Sequence, residues 1–233
     1  PPPQRLLNAF DQQAAAALLV RLAMHKGETR SSPAEVLKWL DKLLIKMMRT
    51  LCSYRKGEPA SLDLPPQLAQ LPGLIFHLRR SPALRTSGNS PDRTAYFRVL
   101  ASTLSVFSML VMIQPTLVAY TLGRKPTPLP LDGAAMAQDR ILMLDSFTQI
   151  IICKGAAIAS WLRQNESGEH AELQKLLSSA REDSRLLESE RFPAPDTFEC
   201  DQYGSKARYL TQKLNPDVPF SQFVESLYKA TVG

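Results

Sequence analysis

Apolar and polar positions in the first half of the chain follow the 3.6-residue period of helices. The stretch from Leu6 to about Met24 is dense in strong helix formers, and Gly27 follows it, so it predicts a helix that stops near that glycine. A second helix is predicted after Ser31-Ser32-Pro33, where a capping serine precedes a proline suited to the first helical turn. Its apolar residues recur at positions 36, 37, 40, 43, 44, 47, 48 and 51 and therefore mark one helix face.

Two further helical segments are expected before the pattern changes. One, within residues 65–81, is broken by Pro72-Gly73, and the other begins after the turn Gly88-Asn89-Ser90-Pro91. The end of the latter, Val99–Ile113, is the most apolar stretch of the chain and is followed by Pro115. It falls short of the roughly 20 residues that a bilayer requires, so it predicts a buried core helix. The first half is thus expected to be helical throughout.

After Pro115 the pattern becomes one of strands interleaved with helices. The predicted strands are Thr116–Leu122, a core at Phe147–Ile152, Phe198–Cys200 and Tyr209–Leu214. The predicted helices end near Trp161, span Glu169–Glu190 and close the chain at about Phe220–Lys229, and Pro126, Pro128 and Pro130 mark a loop. We therefore predict a multidomain α+β chain: an all-α domain at residues 1–115, then an α+β domain at residues 116–233 with a mixed sheet flanked by helices.

Charge is unevenly distributed along the chain. The formal net charge is +6, but residues 1–115 hold 15 Lys and Arg against 7 Asp and Glu, a balance of +8. The remainder holds 13 against 15, a balance of −2. A basic first half fits nucleic acid, an anionic membrane or an acidic protein, and charge alone does not choose among them.

A basic stripe lies on the second predicted helix. Lys38, Lys42 and Lys46 are spaced four apart and Arg49 follows three further on, so all four share a face opposite the apolar one. A solvated helix face is one interpretation. Contact with anionic lipid is the functional one, since each basic residue near such a surface contributes about 1 kcal/mol. Nucleic acid is a weaker candidate because the stripe has no interleaved aromatic residues.

The sequence offers little catalytic or metal chemistry of its own. It has no glycine-rich phosphate loop, no Gly-x-Ser-x-Gly elbow and no His-Glu-x-x-His, and its histidines are far apart. Cys52, Cys153 and Cys200 are odd in number and widely separated, which disfavours a zinc site or disulfide framework and favours a reducing compartment. The chain opens on Pro1-Pro2-Pro3 without a charged leader, so we expect no signal peptide and a piece of something longer.

Arg208 is the residue best suited to chemistry in trans. It leaves the small turn Tyr203-Gly204-Ser205-Lys206-Ala207 just before an apolar stretch, so its side chain can project into solvent. A guanidinium keeps its charge at every working pH, and its planar fork of donors suits the phosphates of a partner's nucleotide. On the residues alone, an ordinary solvated arginine remains the alternative.

Several short segments, in one order along the chain, resemble the C-terminal part of the Sec23 family, the GTPase-activating inner-coat subunit of COPII vesicles. They are Phe10-Asp11-Gln12-Gln13-Ala14-Ala15-Ala16, Phe76-His77-Leu78-Arg79-Arg80-Ser81, Asn89-Ser90-Pro91-Asp92, Met112-Ile113-Gln114-Pro115, Asp139-Arg140-Ile141-Leu142, Arg191-Phe192-Pro193 and Ala207-Arg208.

The resemblance implies a helical domain followed by a gelsolin-like domain, and a protein that is not itself an enzyme but a GTPase activator. Arg208 stands where the family delivers an arginine finger in trans, a role worth a factor of about 10³ to 10⁵ in rate. The GTPase contact would be made by the residues of the turn, Tyr203, Gly204, Ser205 and Lys206.

The implied partners are a Sar-type small GTPase, the cargo-binding inner-coat subunit, the outer-coat scaffold and an anionic membrane, without nucleic acid. The resemblance implies a cytoplasmic protein that is bound peripherally to endoplasmic reticulum membrane and COPII vesicles. No cofactor is expected in this chain, because GTP and magnesium belong to the partner and the family's zinc site lies elsewhere. No residue of the chain is predicted to bind a metal ion.

The sequence also departs from the family pattern. Where the family usually shows Gly-Gly-Ser-Gln-Ala-Arg, the chain has Tyr203 and Lys206, and after Asn215 it lacks a longer loop. These differences indicate a divergent member. They leave open a second interpretation, a gelsolin-like scaffold that binds coat proteins or actin without activating a GTPase.

Overall fold

The structure of the chain, a computed structural model, describes residues 4–29, 32–84, 90–164 and 171–233. Ser31, Gly88-Asn89 and Glu169, each part of a predicted feature, lie outside these residues. The chain divides into two compact units: a helical unit of Pro1–Gln114 with Val218–Gly233, and a sheet unit of Pro115–Asp217. The closing helix, predicted to be part of the second domain, lies in the helical unit.

The helical unit holds the first elements of the chain and the last one, and the sheet unit holds those between them. The helices and strands are α1 (Gln4–Asn8), α2 (Gln12–Thr29), α3 (Pro33–Leu51), β1 (Ser53–Arg55), β2 (Glu58–Asp63), α4 (Leu71–Arg80), α5 (Pro91–Thr103), α6 (Val106–Ile113), β3 (Thr116–Tyr120), β4 (Thr127–Leu129), β5 (Ile141–Asp145), β6 (Gln149–Lys154), α7 (Ala156–Gln164), α8 (Ala171–Ser189), β7 (Asp196–Asp201), α9 (Arg208–Leu214) and α10 (Phe220–Val232). Short 3₁₀ turns occupy Pro66–Leu68, Gly133–Ala135 and Ser205–Ala207.

The N-terminal helix of the prediction is two helices. The Asp11 carboxylate accepts hydrogen bonds from the backbone N–H groups of Gln13 (2.9 Å) and Ala14 (3.0 Å), so it caps a new helix, α2. That helix continues through Gly27, which the prediction treated as its stop. A single glycine costs a helix only about 1 kcal/mol relative to alanine, which burial of one helix face offsets.

Helix α3 begins where the sequence predicts. Ser32 and Glu35 form a reciprocal capping box, in which the serine hydroxyl accepts from the Glu35 N–H and the glutamate accepts from the Ser32 N–H. The hydrogen bonds from Ser32 to the Glu35 carboxylate, first that from the Ser32 N–H, lower the pKa of this carboxyl below its ordinary value. The buried face consists of Val36, Leu40, Leu44, Met48 and Leu51.

Proline and serine set the other helix boundaries differently from the prediction. Pro72 lies in the first turn of α4 and opens the helix, because its missing N–H needs no partner there. The expected single helix Val99–Ile113 is interrupted at Leu104, and the Ser105 hydroxyl caps α6 by accepting from the Ser108 N–H (3.2 Å). Among the described helices, none combines the length and apolar character needed to cross a bilayer.

A hairpin interrupts the helical unit, so the expectation of a first half without strands is wrong. Strands β1 and β2 pair antiparallel, with Ser53 opposite Asp63 and Arg55 opposite Glu58. Gly57 closes the turn with φ of 79°, a backbone conformation that glycine adopts without steric cost. Its N–H donates to the Val232 carbonyl (3.0 Å), which ties the hairpin to α10.

The sheet unit contains a mixed five-stranded sheet in the order β4-β3-β5-β6-β7, with helices packed against it, as predicted. The β3–β4, β3–β5 and β5–β6 pairs are antiparallel, and β6–β7 is parallel. The proline-rich loop of the prediction contains β4, in which Pro128 lies opposite Val118. Proline is tolerated there because β4 is an edge strand.

Two apolar clusters fill the sheet unit. One, around Leu142, Leu144 and Ile151, packs against α9. The other, around Met143, Ile150 and Ile152, packs against α7 and α8. Alternate residues of each strand therefore face opposite sides of the sheet.

The final predicted strand, Tyr209–Leu214, is instead the helix α9. Leu210 and Leu214 of this helix are buried together with Ala207 of the preceding turn, and their separation by three and four positions is the helical rather than the alternating period. This correction matters for Arg208, because that residue opens the helix.

Candidate functional site

The turn before α9 is held by main-chain hydrogen bonds. At its start, the Gln202 N–H donates to the Lys154 carbonyl on β6 (2.8 Å) and the Gly204 N–H donates to the Asp201 carbonyl (2.9 Å). At its end, the Ala207 N–H donates to the Gly204 carbonyl (2.9 Å) and closes the 3₁₀ turn. The turn is thus a compact, helical connection rather than an extended one.

A side-chain bond joins this turn to a neighbouring helix. The Gln202 side-chain oxygen accepts from the N–H of Ala156, the first residue of α7 (2.9 Å). One of the unpaired N–H groups at the helix start thereby gains a partner. The strand end, the turn and α7 are therefore fixed to one another.

Burial of one side of α9 decides which residues face solvent. Ala207, Leu210 and Leu214 are fully buried in the apolar cluster beneath the sheet. Arg208, one position after a buried anchor, is consequently exposed. A projecting arginine is the sequence-based expectation at this place, and Arg208 is exposed there because it opens a helix whose other side is buried.

The Arg208 guanidinium contacts one neutral residue. Its Nη2 donates to the Tyr209 hydroxyl (3.1 Å), and its central carbon lies 5.0 Å from the centroid of the Tyr209 ring. No carboxylate among the described residues pairs with it. An exposed guanidinium that is not paired with a carboxylate is available to an anion on another molecule.

Lys206 has a different environment from Arg208. Its ammonium lies 5.3 Å from the centroid of the Phe198 ring, over strand β7. The Phe198 and Tyr209 rings meet edge to face with centroids 5.7 Å apart, so each cation of the turn has its own aromatic neighbour.

Tyr209 and Phe198 were not among the predicted site residues. Tyr209 could have been found in the sequence as the aromatic residue directly after Arg208, beside the helically spaced apolar residues Ala207, Leu210 and Leu214.

The exposed rim of the turn consists of Tyr203, Gly204 and Ser205, with 77% of Tyr203 exposed. The backbone of Gly204 is extended, with φ of −73° and ψ of 157°, which any residue adopts. Loss of one glycine from the family pattern therefore does not force a strained backbone at the glycine that remains. A tyrosine on the rim adds a large aromatic surface for a partner.

The acidic side chains behind the turn lie in a network of ion pairs. Lys154 lies 3.2 Å from Asp201, and Arg181 binds both carboxylate oxygens of Glu199 (2.5 and 3.0 Å). The hydrogen bond from Arg181 is the main reason why the pKa of Glu199 lies below its ordinary value. These carboxylates are thus occupied by other cations.

The four residues of the basic stripe do not share one environment. Lys38, Lys42 and Lys46 are exposed on α3, on the side away from its buried face. Arg49, the fourth member, is engaged: its Nε donates to the Thr231 carbonyl (2.9 Å) and its Nη2 to the Ala230 carbonyl (2.8 Å). A cation at the C-terminal end of α10 satisfies carbonyls that have no partner within the helix. Arg49 therefore stabilises the helical unit, a use that the sequence analysis did not foresee.

Comparison with known proteins identifies the relatives of this chain. Residues 11–111 match the family model described as the Sec23/Sec24 helical domain. Two Arabidopsis thaliana proteins are similar along nearly the whole chain: protein transport protein SEC23 C, 43% identical over 91% of this chain, and protein transport protein SEC23 F, 39% identical over 94%. The chain spans 28% of the length of each.

A solved structure has the same fold. The crystal structure of the human COPII-coat protein Sec24c superimposes with a TM-score of 0.80, covering 97% of this chain and 32% of that one. The sequence identity of 15% limits this likeness to the fold.

Proposed function

This chain belongs to the Sec23 family, and from that premise we propose that it serves in the inner COPII coat as the part that activates a small GTPase. The family relation supports a role in protein transport, and Arg208 supports the activating chemistry. The proposed partner is a Sar-type GTPase that carries GTP and magnesium. The cargo-binding inner-coat subunit, the outer-coat scaffold and an anionic endoplasmic reticulum membrane complete the set of proposed partners.

The observation that carries the proposal is an exposed arginine on a fixed support. Hydrolysis of GTP develops negative charge on the transferred phosphoryl oxygens, and a guanidinium placed there stabilises the transition state more than the ground state. Arg208 has the required charge, has no carboxylate partner among the described residues, and opens a helix whose other side is buried. To act, its side chain would exchange the Tyr209 hydroxyl for phosphoryl oxygens.

The turn gives the finger its orientation. An arginine finger is worth about 10³ to 10⁵ in rate only when it is delivered to one place, which a hydrogen-bonded turn favours over a mobile loop. Tyr203, Gly204 and Ser205 are exposed beside it and are the proposed contacts with the GTPase surface. Lys206 is assigned to that contact surface, not to the phosphoryl group, since it lies over Phe198.

The basic stripe is proposed to contribute to membrane binding. Three exposed lysines on one helix face would each gain about 1 kcal/mol near an anionic bilayer. Arg49 is left out of this surface, because its guanidinium is already bound to main-chain carbonyls.

The test is Arg208→Ala in an inner-coat subunit that contains this chain. Single-turnover GTP hydrolysis by the Sar-type GTPase is expected to slow by about 10³-fold or more, while the complex with the GTPase still forms in a binding assay. Arg185→Ala, at an exposed arginine on α8, is the matched control and is expected to hydrolyse at the wild-type rate. If Arg208→Ala stays within about twofold of wild type, a difference of about 0.4 kcal/mol, the scaffold without activation becomes the better assignment.

A further inference from the structure

We propose that an open cavity at one end of the sheet in the sheet unit binds an extended acidic peptide segment of a partner protein. The cavity has a volume of about 590 Å³. It is lined by the end of β3, by β4, by the residues before β5 and by α7. Its volume falls within the range of about 300 to 1,000 Å³ typical of ligand sites. The inference does not depend on Arg208 or on GTPase activation.

Two guanidiniums give the cavity its ligand preference. Arg124 and Arg140 both line it, against one acidic lining residue, Asp139. Arginine forks bind carboxylates in a two-point geometry that a lysine cannot reproduce. The lining therefore favours a ligand with carboxylate groups.

Arg140 has unused hydrogen-bonding capacity. Its Nε is buried and has no hydrogen-bond acceptor among the described residues. The nearest carboxylate oxygen, on Asp139, lies 3.7 Å from it, and the Asp139 side chain is 68% exposed. A buried donor without an acceptor is unfavourable, so the protein's own groups leave the Arg140 guanidinium incompletely satisfied and a carboxylate in the cavity would find a donor group there.

The backbone beside Arg140 is tightly fixed. The Gly155 N–H donates to the Arg140 carbonyl (2.9 Å), and the Ala157 N–H donates to the Gln138 carbonyl (3.1 Å). Gly155 has no room for a side chain, since a Cβ there would lie 2.6 Å from the Ala137 carbonyl oxygen. The guanidinium therefore starts from a rigid base, which lowers the entropic cost of binding.

Arg124 stands on a second turn. Its N–H donates to the Thr121 carbonyl (3.2 Å), and the preceding Gly123 has φ of 68°, the left-handed conformation that glycine adopts most easily. The side chain of Arg124 is exposed, so it can meet a ligand without moving other side chains. The two arginines thus differ in burial but serve one cavity.

The apolar lining argues for a peptide rather than a small inorganic or sugar-phosphate anion. Leu122 is 39% exposed, Trp161 is 41% exposed, and Leu129 also lines the cavity. These surfaces would gain nothing from a hydrated phosphate but would be covered by the apolar side chains of a peptide. Strand β4 has Pro128 at its centre, which removes a donor from this sheet edge, so recognition rests on side chains more than on strand addition.

The test uses the 233-residue chain and a defined probe, the amidated and acetylated peptide Leu-Asp-Glu-Leu. Its neutral counterpart, Leu-Asn-Gln-Leu, is the matched control peptide. Binding is followed by NMR through the indole N–H of Trp161, which Trp161→Phe assigns against the other tryptophan, Trp39. The acidic peptide is expected to shift this resonance in a saturable manner and the neutral one to bind at least tenfold more weakly.

Single substitutions then locate the site. Arg140→Gln and Arg124→Gln are each expected to weaken binding of the acidic peptide at least tenfold, whereas Arg185→Gln, on α8, leaves it unchanged. If Arg140→Gln fails to fold, the exposed Arg124 still decides the question. Equal affinity for the two peptides, wild-type affinity in Arg124→Gln, or displacement of the peptide by equimolar inorganic phosphate would each overturn the proposal.

Discussion

Two arginines of the helical unit and two of the sheet unit show two different ways in which the fold engages a guanidinium. In the helical unit, Arg21 and Arg49 each donate to two main-chain carbonyls at the end of another helix, Arg21 to Ala101 and Leu104 at the end of α5. In the sheet unit, Arg191 and Arg181 each bind both oxygens of one carboxylate. Arg208 belongs to neither class, because its contact is the neighbouring tyrosine.

This difference shows why charge in a sequence is a poor guide to availability. A guanidinium that caps a helix or neutralises a buried carboxylate stabilises the fold and is held in place by those bonds, so moving it to a partner would break them. Arg49 and Arg208 look alike in the sequence, as arginines beside basic residues, yet one is engaged by the main chain and the other is not. The following predictions test that distinction, beginning with the largest expected effect.

Replacing Arg208 with lysine is expected to leave GTP hydrolysis nearly as slow as the alanine variant, about 10³-fold below wild type, or about 4 kcal/mol. One ammonium keeps the charge but cannot bridge two phosphoryl oxygens. Lys206→Ala is the comparison, and it should stay within a few-fold of wild type because that ammonium lies over Phe198. Single-turnover hydrolysis with the Sar-type GTPase measures both. Recovery of most of the rate by lysine would mean that charge alone suffices.

Asp145→Asn is expected to lower the free energy of unfolding by about 3 kcal/mol. The Arg191–Asp145 pair is the most deeply buried ion pair of the described residues, with 10% and 5% of the two side chains exposed, and removal of one partner leaves the other charge uncompensated. Urea unfolding measures the change. Glu182→Gln, at an exposed carboxylate of α8, serves as control with an expected change below about 0.5 kcal/mol. A similar small change in Asp145→Asn would show that the pair is not essential to the fold.

Reversal of Lys38, Lys42 and Lys46 to glutamate is expected to weaken binding of the inner-coat subunit to anionic liposomes. Each lysine contributes about 1 kcal/mol near such a surface, and the effect fades as salt shortens the range of the interaction. Flotation with phosphatidylserine liposomes at low and high salt provides the measurement. Equal flotation of variant and wild type at low salt would leave the stripe as a solvated face.

Arg49→Met is expected to act on stability instead, lowering the free energy of unfolding by about 1–2 kcal/mol, since two carbonyls at the end of α10 lose a charged donor. Lys42→Met is the control on the same helix, with a change within about 0.5 kcal/mol. Thermal unfolding of the two variants separates the roles. If the two variants were equally stable, Arg49 would not stabilise the fold and would belong to the exposed stripe with the lysines.

The smallest expected effect is the pH dependence from Glu199. Arg181 lowers the pKa of this carboxyl below 4.5, so its contribution to stability is fully present above pH 4.5 and is lost as the pH falls through the lowered value. The stability difference between wild type and Glu199→Gln should therefore shrink below pH 4.5. Urea unfolding between pH 3 and 7 measures it, and a difference that does not change with pH would contradict the assignment.

Local patterns in the sequence predicted most of the elements, because capping residues and apolar periods act over a few positions. The capping serine and the period of α3 placed that helix correctly. The prediction went wrong where the residues of a short segment are compatible with both a strand and a helix. The composition of Tyr209–Leu214 predicts a strand, but the segment folds as a helix. Ala207, Leu210 and Leu214 can be buried together only with helical spacing. It also missed the hairpin around Gly57, whose strands are too short for a periodic signal.

For the candidate site, the sequence by itself determined that Arg208 leaves a turn, that lysines of α3 share one face, and that the family pattern is present. Only the tertiary structure decided which cations remain available. The contacts of Arg49 lie more than 180 residues away along the chain, and the partner of Arg191 lies 46 residues away. Such contacts depend on which chain segments meet after burial of their apolar faces, and no local pattern of residues encodes that meeting.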